Sequence, residues 1–134
     1  MSKTKIYLAG AMTAFNDEPV LALEWRCDIE DALEDEYNVI NPAVKFWLED
    51  DPDEKAAFEW DLYSVRTSDV IIVNFSNCAT SLGTQHELAI AYEMKKPIIG
   101  LNTTNEKLHP WQEIVCQKIF SDREDLLMYI REHY

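Results

Sequence analysis

The sequence predicts one doubly wound α/β domain over residues 1–134, a mostly parallel five-stranded sheet with helices on both faces. Three observations lead there. Short apolar runs alternate with stretches whose apolar residues recur at helical spacing, the pattern of β-α-β units. Residues 69–75 are almost continuously apolar, as a parallel strand covered on both faces requires. Finally, 47% hydrophobic residues with only three glycines and five prolines argue for a packed core, and no linker, repeat or low-complexity block divides the chain.

Residues 5–9 form the first apolar strand. From 19 to 36, Leu21, Trp25, Ile29 and Leu33 fall at helical intervals, and residues 37–40 form a second strand ended by Asn41-Pro42. A helix follows over 53–67, with Phe58, Leu62 and Val65 as its inward stripe. The acidic run Glu49-Asp50-Asp51-Pro52-Asp53-Glu54 reads as its loop and start, because carboxylates favour a helix N-terminus, rather than as a metal cage. The strand at 69–75, a helix carrying Glu87, with Leu88, Ala89, Ala91 and Tyr92 available for an apolar stripe, and a strand at 97–101 come next. A short strand at 118–120 and a helix over 122–132, with Ser121 as N-cap, complete a flavodoxin- or Rossmann-like order. Right-handed crossovers then distribute the helices over both faces.

Charge and cysteine usage narrow the function classes. Twelve basic against 25 acidic residues give a formal charge of −13, which argues against binding polymeric nucleic acid and leaves a small nucleoside or nucleotide open. The N-terminus lacks an adequate apolar signal core and no segment has the length of a membrane span, so a cytoplasmic location without membrane attachment is expected. Cys27, Cys78 and Cys116 are odd in number and without metal-type spacing, which suggests reduced thiols packed as small apolar groups and no metal site. The loop after the first strand has neither a GxGxxG pattern nor a P-loop lysine, so nothing points to a dinucleotide or triphosphate, and no cofactor is expected.

Glu87 is the most informative residue. In Ser81-Leu82-Gly83-Thr84-Gln85-His86-Glu87 a Gly-Thr turn delivers it onto a helix directly after a buried strand. Ligands in open α/β sheets bind beyond the carboxyl ends of such strands. Dipole complementation or capping is the structural alternative for a carboxylate so placed. Ala9-Gly10-Ala11-Met12-Thr13 follows the first strand, and its small residues let a ligand approach the backbone, making Gly10 and Thr13 candidate contacts; turn formation explains Thr13 and Asn16 equally well. Asp61 lies beside the inward stripe of its helix, with Glu59 as an alternative acid. His86 diverges from Glu87 by about 100° around a helix and reads as packing or pocket wall.

Three motifs in order, Lys5-Ile6-Tyr7-Leu8-Ala9-Gly10, Asp61-Leu62, and the Ser-Leu-Gly-Thr-x-x-Glu-Leu-x-x-Ala pattern around Glu87, together resemble the nucleoside 2-deoxyribosyltransferase superfamily over roughly residues 5–101. The resemblance implies that Glu87 is a glycosyl-accepting nucleophile, that Asp61 manages protons at the leaving base, and that Tyr7 lines the sugar pocket; a half-buried strand tyrosine is the alternative for Tyr7. Ser81 precedes Glu87 by six positions and is followed by Leu-Gly. This resembles the related deoxynucleoside 5′-monophosphate N-glycosidases, where transferases usually carry an aspartate, and marks Ser81 and Gly83 as candidate substrate contacts. Against that, residues 11–16 lack the Gly- and Arg-rich loop those hydrolases share.

The resemblance also implies a homo-oligomer, a dimer or an assembly built from dimers, whose partner residues complete each pocket. Trp111, in His109-Pro110-Trp111-Gln112, would stack on a base, although a helix-starting Pro-Trp is as readily structural; Tyr134 is a similar case. The implied activity is cleavage of the N-glycosidic bond of a 2′-deoxynucleoside or its 5′-monophosphate, with transfer to another base or to water. The alternative is a non-catalytic nucleotide-binding sensor or interaction module on the same fold.

Overall fold

The computed structural model describes residues 3–12, 20–43, 53–78 and 81–134. Five strands, β1 (Lys5–Gly10), β2 (Asn38–Ile40), β3 (Val70–Asn74), β4 (Ile98–Leu101) and β5 (Lys118–Phe120), form one sheet in the order β2-β1-β3-β4-β5. Every pairing is parallel, with Tyr7 level with Ile71, Gly10 with Asn74, and Ile71 with Ile98. Among the described residues the helices are α1 (Val20–Leu33), α2 (Glu54–Thr67), α3 (Leu82–Glu93), α4 (Pro110–Val115) and α5 (Arg123–His133). The architecture is the parallel five-stranded α/β sheet that the sequence led one to expect.

Period-two alternation along the strands builds two cores. Ile6, Leu8, Val70, Ile72, Ile99 and Leu101 face one side, against Ile29 and Leu33 of α1 and Leu126, Leu127 and Ile130 of α5. Tyr7, Ala9, Ile71, Val73 and Ile98 face the other, against Val65 of α2 and Leu88 and Ala91 of α3. All five residues of β3 are buried, which explains its lack of a polar alternation. Each fully buried Leu or Ile contributes about 1.5–3 kcal/mol. Because β1 is flanked by β2 and β3, the strand order reverses there, and the crevice of the sheet opens beyond the carboxyl ends of β1 and β3.

Several expected details are corrected. On α1 the buried stripe is Ala22, Arg26, Ile29 and Leu33, rotated from the expected one, with Leu21 exposed and Trp25 half-buried. Phe58 of α2 is 53% exposed, because only the later turns of this helix lie against the sheet, through Leu62, Ser64 and Val65. On α3, Thr84, Leu88 and Ala91 are buried whereas Ala89 and Tyr92 face outward. Asp122, not Ser121, caps α5: its carboxylate accepts from the Glu124 N–H at 3.2 Å. Asp53 caps α2 in the same way, accepting from Lys55 N at 3.1 Å and Ala56 N at 3.2 Å.

Candidate active site

Glu87 and Asp61 both occupy inward positions on helices otherwise lined there by small or apolar residues. Glu87 is three residues after Thr84 and four before Ala91, so it shares the buried stripe of α3. Asp61 is three and four residues before Ser64 and Val65, the buried stripe of α2. Since α2 and α3 pack side by side over the same face of the sheet, the two carboxylates converge above β1. Tyr7, 1% exposed, projects from that strand toward them, and its hydroxyl donates a short hydrogen bond to Glu87 Oε2.

The electrostatics follow from this crowding. Burial pushes the Glu87 carboxyl up to about 8, and the neighbouring Asp61 adds to the rise; the Tyr7 hydrogen bond and the Arg26 charge oppose it. Burial also drives the Tyr7 phenol well above its ordinary value, with Glu87 and Asp61 adding to the shift, so it stays protonated and acts as a donor. Glu59, the alternative acid, lies on the outer face of α2, 4.0 Å from Lys55, and the tertiary fold thereby separates it from Asp61.

The other candidates fall into different settings. Ser81 is the buried N-cap residue of α3, but its hydroxyl meets Thr84 Oγ1 at 2.7 Å instead of capping a backbone N–H. Gly83 does not form a turn ahead of the helix. It sits in the first turn of α3 with open space where a side chain would stand. Gly10 is more enclosed: a Cβ there would lie 2.8 Å from Trp25 Cζ2 and 3.3 Å from Asn74 O, so its smallness accommodates packing of the chain itself. Thr13 lies outside the described residues.

Trp111 is 76% exposed on α4 and lines a cavity of about 570 Å³ with Phe75, Gln85, Leu108, His109 and Gln112; none of Tyr7, Asp61 or Glu87 is in its wall. The turn before it is a capping box, with His109 Nδ1 accepting from Trp111 N and His109 N donating to Gln112 Oε1, both at 3.1 Å. His86 is exposed and its ring lies 5.9 Å from that of Phe58. The Tyr134 hydroxyl donates to Gln117 Oε1 at 2.9 Å, at the amino end of β5 and so at the edge of the sheet opposite the crevice.

Arg26 stands out in the structure but not in the sequence pattern. It is 1% exposed, and its guanidinium donates to Ala22 O at 2.7 Å, Gly10 O at 2.8 Å and Leu8 O at 3.3 Å. Arginine is rarely so buried. The available signal was its spacing with Ala22, Ile29 and Leu33, once the stripe is drawn one residue further along. Among the described residues no group of three or more His, Cys, Asp or Glu side chains is arranged to hold a metal, and no helix is long and apolar enough to cross a membrane.

These features define an open α/β domain whose switch-point crevice carries a tyrosine-bonded carboxylate and a second acid. The model of the family described as "Nucleoside 2-deoxyribosyltransferase like" matches residues 3–105, and the chain belongs to that family. Among solved structures it is similar to a 2-deoxyribosyltransferase from Bacillus psychrosaccharolyticus, with 24% identity over 98% of this chain and 92% of that one and a TM-score of 0.77. A CMP N-glycosidase from Clostridium botulinum shares 21% identity over 98% and 100% of the two chains, with a TM-score of 0.63. A 2-desoxiribosyltransferase from Leishmania mexicana shares 15% over 98% and 99%, with a TM-score of 0.71. At these identities the similarity is one of fold. No curated protein matches the sequence.

Proposed function

We propose that this protein cleaves the N-glycosidic bond of a 2′-deoxynucleoside or its 5′-monophosphate, with Glu87 as nucleophile and Asp61 as proton donor. The observation that carries the reading is the hydrogen bond from Tyr7 to Glu87 Oε2 beside a second acid, in a chain of this family. As the bond from C1′ to the base lengthens, positive charge develops on the sugar, and an ionised Glu87 stabilises that charge and then bonds to C1′. Tyr7 holds one carboxylate oxygen, which leaves the other to attack. The electron pair of the broken bond goes to the base, which takes a proton from Asp61. Attack at C1′ by water or by a second base, which gives its proton to the now ionised Asp61, then releases Glu87 as the carboxylate, giving hydrolysis or transfer.

The reading carries a pH dependence. Attack needs ionised Glu87, so kcat/KM should climb as pH rises toward about 8. Gly10 and Gly83 are proposed to border the substrate, and Ser81 to meet a 5′-phosphate when one is present. Trp111 and the apolar residues near it are proposed to meet a second copy of the chain, in a dimer or an assembly built from dimers.

The test is incubation with a panel of deoxynucleosides and their monophosphates, with and without an acceptor base, following free base by chromatography. Release that depends on Glu87 is the expected result, and the acceptor arm separates transfer from hydrolysis. Saturable binding across the panel with no release would instead support a non-catalytic binding module.

A further inference from the structure

Arg26 has no evident place in a reaction run by Glu87, Asp61 and Tyr7, yet α1 sends it through the core to the end of β1. Its three described hydrogen bonds all go to backbone carbonyls, two of them, Leu8 O and Gly10 O, on the strand that carries Tyr7. The Trp25 ring lies 4.7 Å from the guanidinium. Gly10 makes this docking possible, since a Cβ there would stand 2.8 Å from Trp25 Cζ2 and 3.5 Å from Arg26 Nη2. A buried cation loses its hydration and must regain it from neighbours. Neutral carbonyls supply the hydrogen bonds, while the charge acts on Tyr7 of β1, Glu87 of α3, Asp61 of α2 and Cys78 in the β3–α3 loop. Among the described residues Arg26 is the cation that acts on both Tyr7 and Glu87.

We propose that Arg26 is the positioning residue of the carboxylate pair: it fastens the end of β1 beneath Tyr7 and supplies the fixed countercharge to Glu87 and Asp61. The inference rests on the function proposed above and deepens it. With one buried guanidinium acting on two acids, a single ionised carboxylate leaves the cluster neutral, whereas ionising the second leaves it with a net negative charge. One acid therefore keeps its proton while the other carries charge. Without Arg26, even the first ionisation is uncompensated.

The experiment follows the Glu87 side-chain carboxyl by carbon NMR in glutamate-labelled protein across pH, alongside kcat/KM against pH, for wild type, Arg26→Gln and Arg26→Lys. In Arg26→Gln the Glu87 titration should move upward by about one unit or more, with the acid limb of kcat/KM moving alongside it. Arg26→Lys, which keeps the charge and loses the fork of donors, should restore most of that shift while melting at a lower temperature than wild type. An unchanged Glu87 titration in folded Arg26→Gln overturns the proposal. If that variant does not fold, Arg26→Lys decides: a near wild-type titration supports the countercharge, and an upward shift of about a unit overturns it. The NMR titration needs no turnover, so an Arg26-dependent carboxyl in a protein that releases no base would refute the functional reading and leave this one standing.

Discussion

Replacing Glu87 by Gln separates the use of this carboxylate from the cost of burying it. The amide is neutral and isosteric, and its carbonyl can still accept the Tyr7 hydroxyl, so the packing of α3 on the sheet is preserved. The folded-state value of about 8 stands above the ordinary 4.5. A group raised in this way stabilises the fold fully below its unfolded value, and that stability is lost as pH rises through the folded one. The interval, 8 − 4.5 = 3.5 units, sets an upper bound of about 5 kcal/mol at about 1.4 kcal/mol per unit. Glu87 keeps a water-facing edge, which screens the charge and brings the expected effect to about 1–2 kcal/mol. At about 3–5 °C per kcal/mol for a domain of this size, Glu87→Gln should gain about 3–10 °C on wild type between pH 5 and pH 9. Thermal unfolding followed by circular dichroism over that range measures the gain, and the same variant should release no base from any substrate. Melting temperatures of variant and wild type that run parallel from pH 5 to pH 9 would refute the reasoning.

Other outcomes test the remaining assignments. Asp61→Asn should slow cleavage strongly for poor leaving bases and spare those that depart without protonation; equal losses in a leaving-group series would make Asp61 a positioning residue. Ser81→Ala should weaken 5′-monophosphates by about 1.5–3 kcal/mol and barely affect nucleosides, read as a difference in KM between the two substrate series. Because the Ser81 hydroxyl also meets Thr84, the variant's melting temperature should be measured in parallel. Gly10→Ala should destabilise by about 1–3 kcal/mol in denaturant unfolding, since its Cβ meets Trp25 at 2.8 Å and backbone Asn74 O at 3.3 Å. Activity should fall on dilution, and Trp111→Glu should shift light scattering toward the monomer; a fully active monomer would remove Trp111 from any neighbour's site.

Most of the fold was legible because hydrophobic periodicity is a local property. The β3 run, the alternation of strand and helix, and the residues ending each element depend on near neighbours in the chain, and the observed β5 coincides with the expected residues 118–120. The same locality explains the failures. Phe58 has the spacing of a core residue, but whether the early turns of α2 lie over the sheet is decided by where the sheet ends. On α1, Leu21 and Trp25 look like the inward stripe, yet the helix is rotated so that Ala22 and Arg26 turn inward.

For the site, the sequence by itself determined which residue types stand where: a carboxylate six positions after a serine at a strand-to-helix junction, an acid before a leucine one helix earlier, and a tyrosine in the first strand. Only the tertiary structure decided their meeting. Tyr7 and Glu87 are 80 residues apart, and their hydrogen bond exists because β1 runs beside β3 and α3 folds back over both. That Asp61 and not Glu59 shares the inward face of α2 was likewise tertiary, since two residues on a helix diverge by about 200° and the packing of α2 turns one of them inward. Arg26 was the least legible, because a buried cation is stable only through carbonyls and acids brought in from β1, α2 and α3, and no local pattern encodes that company.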